Sequence, residues 1–282
     1  MTGKSFLKAA AVGLLGLIPA TGMAGEAWDD ISILMFDKAR AFDVATTDTV
    51  ALHTPYRASD DRRVTIGAAV SLPDGQLIDK VYLVIDENPM PVSAVFKMER
   101  PTSDFSFDMT MRLNGPSGIH LVVETADGKL LVSEGFTKTS GLGACAAPPV
   151  NDPAVALKTL GQMKLALAPA DPAAVKTRLV SLANGSADPA QQPVRAEVSF
   201  RHPSHSGLQM DQITLLYLPA RFIETVKFAT DDKPMFTMTG SISISEDPAL
   251  SVVLPAGAGT LTVDMADTEG AAFHQVFSLG QG

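Results

Sequence analysis

The chain has 282 residues, 46% of them apolar, with 31 acidic against 22 basic side chains and a formal net charge of −9. That is enough apolar material for one large or two ordinary cores, and the acidic balance disfavours nucleic acid or anionic lipid as partners. The single cysteine, Cys145, excludes an internal disulfide, so the fold must rest on hydrophobic packing.

Residues 1–24 have the make-up of a secretory leader. Lys4 and Lys8 supply a positive start, Ala9 to Ile18 an apolar run, and Gly22-Met23-Ala24 a small-residue cleavage pattern. The run is shorter than the roughly 20 apolar residues a spanning helix needs. The expectation is export to the periplasm with the leader cleaved and no membrane contact afterwards.

Trp28, Ile31, Leu34 and Met35 recur at near-helical spacing behind Asp29 and Asp30, which predicts a short N-terminal helix. The period then changes to two. Val64 to Val70, Val81 to Ile85 after the Pro73-Asp74-Gly75 turn, Phe105 to Leu113, Ile119 to Val123 and Leu130 to Phe136 alternate as strands, the last two joined at Asp127-Gly128. One inward and one wet face per strand is what an antiparallel sandwich requires. Residues 25–138 are therefore read as a first β-sandwich domain.

Residues 139–158 carry Gly141, Gly143, Cys145, Pro148, Pro149 and Pro153, and are read as a loop and linker. Alternation resumes at Met163 to Leu167. An Ala-, Pro- and Asp-rich excursion over 168–193 follows, with a helical turn expected at 175–182. Strands are expected at Val194 to Phe200, Ile213 to Tyr217, Phe222 to Phe228, Met235 to Met238, Leu250 to Leu254, Leu261 to Met265 and Phe273 to Phe277, with a hairpin at Asp267 to Gly270. Residues 159–282 read as a second sandwich, and the class is all-β with one short helix.

Cys145 is the first candidate for chemistry. A free cysteine is commonly a small core residue, but Gly141, Gly143, Ala144, Ala146 and Ala147 give it no alternating apolar surroundings. A leftover cysteine in an exported chain points to modification or intermolecular chemistry. Lys138 is the nearest cation in sequence and no histidine adjoins it, so its own loop does not activate it. A passenger role therefore fits better than a catalytic one.

His202 and His205 could place two imidazoles near one metal, but Pro203 and Gly207 indicate a turn and no further ligand lies close in sequence. His53, His120 and His274 stand alone. Methionines such as Met109, Met111, Met235 and Met238 occupy strand positions that suit core filling. No Ser/His/Asp arrangement or carboxylate pair has catalytic spacing, so no metal, no cofactor and no catalytic site are expected.

The first half resembles the thiosulfate-oxidation carrier protein family SoxY, in the Trp28 region, Val81 to Asn88 running into Pro89-Met90-Pro91, the Phe105 to Leu113 strand, and the cysteine arm. The second half resembles the SoxZ family, at His202-Pro203 with Ser206-Gly207-Leu208, at Pro219-Ala220-Arg221-Phe222-Ile223, at Lys233-Pro234-Met235-Phe236, and at the Asp267 to Gly270 hairpin. The whole is similar to fused SoxYZ-like carriers that accompany quinoprotein dehydrogenases. That resemblance implies two immunoglobulin-like sandwiches pairing within one chain, and Cys145 as the attachment point for sulfur intermediates, with Gly141 and Gly143 as hinges of the arm. The implied partners are periplasmic redox enzymes, either of sulfur oxidation or a quinoprotein dehydrogenase. The chain departs from the family in two ways. Ala144 and Ala146 flank the sulfur where SoxY has glycines, and the arm is internal instead of terminal. A second reading is a non-covalent adaptor that docks a quinoprotein dehydrogenase or its cytochrome.

Overall fold

Strands with one apolar face need a second layer to cover it, and this chain supplies two stacked sheets. The computed structural model describes residues 24–36, 42–143, 145–146, 158–170, 193–211 and 214–280. The first half holds α1 (Ala24–Phe36), β1 (Phe42–Val44), β2 (Val50–His53), β3 (Val64–Ser71), β4 (Ile78–Ile85), β5 (Val92–Met98), β6 (Asp104–Met111), β7 (Ser117–Thr125) and β8 (Leu130–Thr137). The second half holds β9 (Met163–Pro169), β10 (Val194–Phe200), β11 (Ile223–Thr230), β12 (Lys233–Gly240), β13 (Ala249–Leu254), β14 (Thr260–Asp267) and β15 (Ala272–Ser278).

Both halves contribute to both sheets. One sheet has the order β1-β8-β7-β4-β5-β12-β11-β14-β15, the other β2-β3-β6-β13-β10-β9. The halves join at two antiparallel seams: β5 with β12, from Ala94↔Gly240 to Met98↔Phe236, and β6 with β13, from Phe107↔Val252 to Met109↔Leu250. All other strand pairs are antiparallel except β1 with β8, which is parallel. The sandwiches expected from the sequence are thus fused edge to edge over one continuous core that includes Ile66, Leu83, Phe107, Leu121, Val198, Val226, Val252 and Val263.

Aromatic rings fill the seam. Phe96 lies 4.4 Å from Phe107 and 5.8 Å from Phe236 between ring centroids, and Phe236 stacks on Phe228 at 5.0 Å. Such pairs contribute about 0.5–1.5 kcal/mol each beyond the area they bury. Met109, Met111, Met235 and Met238 are buried in the same core. Helix α1 covers the outer face of the nine-stranded sheet, where Phe36 packs with Val122, Leu130 and Val132, and Trp28 stacks on His120 at 4.0 Å. Covered on both faces, β7 is buried along nearly its whole length.

Three strands, β1, β2 and β5, lie where the sequence shows no clear alternation. The strand expected from Ile213 to Tyr217 is corrected: Tyr217 makes only an isolated bridge to Met210, and Leu215 sits at φ 57°, a left-handed conformation that breaks an extended run. Residues 1–23 of the expected leader, and the helical turn expected at 175–182, lie outside the described residues. Among the described residues no helix is long and apolar enough to cross a membrane.

Candidate functional site

The loop carrying Cys145 leaves β8 and stays docked on the protein. The Lys138 amide donates to the Tyr56 carbonyl at 2.8 Å, and the Gly143 amide to the Leu113 carbonyl at 2.9 Å. Leu113 in turn donates to the Asp61 carbonyl at 2.8 Å, so the loop lies on a rung formed by residues 61 and 113. The glycines expected as hinges are used for close approach. A Cβ on Gly141 would lie 1.9 Å from Asp61 Oδ2, and one on Gly143 would lie 2.3 Å from the Asp61 carbonyl oxygen and 2.7 Å from that of Leu113. Neither has a positive φ, so contact and not backbone conformation calls for glycine here.

Cys145 is exposed and unpaired on a turn closed by its own amide, which donates to the Leu142 carbonyl at 2.9 Å. The second half holds the other side of that turn. Gln209, which is buried, accepts from the Ser206 amide at 3.2 Å through Oε1 and donates from Nε2 to the Ala146 carbonyl at 3.1 Å. The thiol is therefore displayed from a short turn gripped by both halves of the molecule.

Beside it a small hairpin projects from the second half. The Asp211 amide donates to the Leu216 carbonyl and that of Leu218 to the Gln209 carbonyl, both at 2.9 Å. Leu215, Leu216 and Tyr217 are 68%, 68% and 67% exposed, with Met210 and Leu208 partly so and Leu142 exposed on the cysteine loop itself. Sequence reasoning took Leu215, Leu216 and Tyr217 for the end of an ordinary strand. The signal that could have found them is the row Leu215-Leu216-Tyr217-Leu218, which lacks polar alternation.

Beneath the turn a buried polar network locks the halves together. Arg112, fully buried just after β6, donates from one guanidinium nitrogen to the Ser204 carbonyl at 2.5 Å and the Ile244 carbonyl at 2.6 Å. Burial, only partly offset by Glu246, pushes its pKa down to about 10. The Asn88 side-chain amide donates to the Arg112 carbonyl at 2.8 Å and to Ser243 Oγ at 2.9 Å, and Arg63 reaches the Glu246 carbonyl at 2.6 Å.

His202 and His205 are drawn into this network. The Ser204 amide donates to His202 Nδ1 at 3.0 Å, which puts the ring proton on Nε2, facing Asp267 Oδ2 at 3.4 Å. Both nitrogens are engaged, leaving His202 no lone pair for a metal. Burial, against the pull of Asp267, pushes its pKa down to about 4. Burial also lowers His205, helped by the charges of Arg112 and Arg221. Asp267 stays below its ordinary range: burial raises it, but the Ala271 amide and the Arg221 guanidinium, 2.8 Å away, outweigh that. Ser204, His202 and Asp267 are all buried, so this Ser/His/Asp contact is closed to any substrate. Among the described residues no three His, Cys, Asp or Glu side chains are grouped to hold a metal. Of the other histidines, His120 is buried with Nε2 3.1 Å from Asp86, and His274 is exposed beside Asp264.

A continuous double β-sandwich that presents one free thiol from a turn held by both halves defines a thiol-displaying, two-part β-protein. Two family models match the chain in succession: sulfur oxidation protein SoxY over residues 38–145, ending on Cys145, and sulphur oxidation protein SoxZ over residues 184–278. The chain belongs to these families as a fused SoxYZ-like protein. Among solved structures it is similar to the sulfur carrier protein SoxY from Chlorobium limicola f thiosulfatophilum, at 20% identity and a TM-score of 0.35 over 41% of this chain and 93% of that one. It is also similar to a superoxide reductase (neelaredoxin) from Ignicoccus hospitalis, at 13% identity and a TM-score of 0.28 over 34% of this chain and 94% of that one. No curated protein matches it.

Proposed function

We propose that this protein is a periplasmic carrier that holds a sulfur-containing intermediate covalently on Cys145 Sγ and presents it to partner enzymes, with no catalytic site of its own. The observation that carries this reading is the exposure of the lone thiol on a turn anchored to Leu113 in the SoxY half and Gln209 in the SoxZ half. A cargo attached there stands clear of the body, while both halves fix where it stands. Membership of two sulfur-oxidation families supports a sulfur cargo, and the leader-like residues 1–24 support the periplasm. Periplasmic redox enzymes, of sulfur oxidation or a quinoprotein dehydrogenase, are the partners the resemblance implies.

Intact-mass measurement of protein purified without reductant tests the reading. The expected result is a mass increment on the wild type that reductant removes and that Cys145→Ser lacks. A folded Cys145→Ser protein that keeps full function in the cell overturns it. That outcome would favour the second reading, a non-covalent adaptor, for which the exposed Leu215, Leu216 and Tyr217 are the supporting observation.

A further inference from the structure

At the end of the molecule away from Cys145 the seam between the halves opens. β6 and β13 are paired only from Met109↔Leu250 to Phe107↔Val252. Residues 104–106 then have a ladder partner only in β3, while Val253 and Leu254 have one only in β10. The sheet behind remains closed as far as Met98↔Phe236. The splayed strands leave a cleft of about 460 Å³ that reaches the core of the seam, with Met98, Phe105, Met235 and Phe236 in its wall. It lies at the start of β6, and the cysteine turn docks beyond that strand's other end, so about 27 Å of extended chain separates them.

The polar chemistry of the cleft is lopsided. Asp104, a carboxylate in the lining, has both oxygens engaged by hydroxyls: Oδ1 accepts from Ser71 at 2.8 Å and Oδ2 from Ser103 at 2.7 Å. Arg100, in the same lining, makes no hydrogen bond or ion pair with any described residue. A guanidinium with no acceptor among the described residues, in one lining with aromatic and thioether side chains, complements a molecule with one anionic end and an apolar body. The volume falls in the range of small-ligand sites, roughly 300–1,000 Å³.

We propose that this cleft binds a small amphipathic organic anion, its carboxylate or sulfonate held by Arg100 and its apolar body seated on Met98, Phe105, Met235 and Phe236. Because β3, β5 and β6 of one half and β12 and β13 of the other line it, the occupant spans the seam. Binding therefore stabilises the pairing of the halves by ordinary mass action. Nothing in this inference uses Cys145, so it stands or falls separately from the carrier role.

The test is fluorescence titration of the full chain with 1-anilinonaphthalene-8-sulfonate, alongside the neutral N-phenyl-1-naphthylamine, which has the same rings without the sulfonate. The expected result is saturable one-site binding of the sulfonate and a raised unfolding temperature at saturation. Arg100→Gln weakens the sulfonate about tenfold or more, the loss expected for one charge-assisted hydrogen bond. The same variant leaves the neutral probe unchanged, and Arg100→Lys keeps most of the affinity because the charge remains. Sulfonate affinity in folded Arg100→Gln within twofold of wild type overturns the proposal, as does binding that does not saturate.

Discussion

Gln209 holds Ala146: its side-chain amide, fixed by the Ser206 backbone, donates to the carbonyl of the residue that follows the only cysteine, at 3.1 Å. The second half of the chain thus sets the position of a thiol that belongs to the first. Fusion keeps the two in register without an association step, since a tethered partner acts at a high effective concentration.

Gln209→Ala should release that side of the turn. The Ser206 amide and the Ala146 carbonyl lose their partner, at a cost of about 1–3 kcal/mol where the group stays buried. The thiol, already exposed, should react faster with a bulky disulfide reagent because the turn no longer fixes its approach. Stopped-flow thiol titration with urea unfolding checks both. An unchanged rate with unchanged stability would mean that Gln209 does not hold the turn.

The two loop glycines should differ in tolerance. At Gly141 the added methyl meets the carboxylate end of the Asp61 side chain, which can rotate away, whereas at Gly143 it meets two backbone carbonyls that cannot. Gly143→Ala should cost about 1–3 kcal/mol, in the range of overpacking a filled site, and Gly141→Ala much less. Thermal unfolding of both variants gives the comparison. Equal costs would argue against a docked loop.

Much of the fold was legible because alternation reports burial directly. The strands from Val64, Val194 and Leu261 follow their apolar faces closely. What alternation cannot report is which edges pair. β5, with Ser93 and Ala94 buried just after Pro91, reads poorly as a strand, yet it is the strand that joins the halves. The same limit hid the site's frame. Cys145 stood out as a lone thiol among small residues, but Leu113, Gln209 and Arg112 matter through contacts made 30 to 132 residues away along the chain, which no local spacing encodes.

Protonation of His202 should weaken the fold in mild acid. Its folded pKa, about 4, lies below the ordinary 6.5, so the unfolded chain takes up the proton first as the pH falls. The stabilisation is therefore whole above about pH 6.5 and is lost between 6.5 and 4, at no more than about 1.4 kcal/mol per pH unit and about 3 kcal/mol in all. His205, lowered in the same direction, adds to the slope. Urea unfolding from pH 4 to 7 measures it. His202→Asn should flatten the curve in that window, and an unchanged slope would show that the histidine titrates normally.

Arg112 should prove costly to remove because both of its acceptors, the Ser204 and Ile244 carbonyls, belong to the second half while its own chain belongs to the first. Arg112→Met fills similar space but strands two buried carbonyls, for a loss of about 2–5 kcal/mol. Arg112→Lys keeps a charge that can reach one of them and should fall between. Equilibrium unfolding ranks the three proteins, and a Met variant as stable as wild type would mean the seam does not depend on this contact.

The exposed hairpin should matter for exchange with partners and little for folding. Leu216 and Tyr217 are about two-thirds exposed, so replacing each by serine should change stability by no more than about 0.5 kcal/mol. The hairpin's base residue Gln209 touches the cysteine turn, so a partner that closes over Cys145 is expected to meet the hairpin as well. Aromatic and leucine side chains in such a position act as anchors once desolvated, and removing an anchor commonly costs 2 kcal/mol or more of binding, roughly a thirtyfold loss. The double variant Leu216→Ser, Tyr217→Ser should therefore keep the wild-type rate of Cys145 alkylation by a small reagent while in-cell loading of the thiol, read by intact mass, falls sharply. If loading persists at the wild-type level, partners approach the thiol from another side; if alkylation falls with it, the hairpin acts on the cysteine turn itself and not on what docks there.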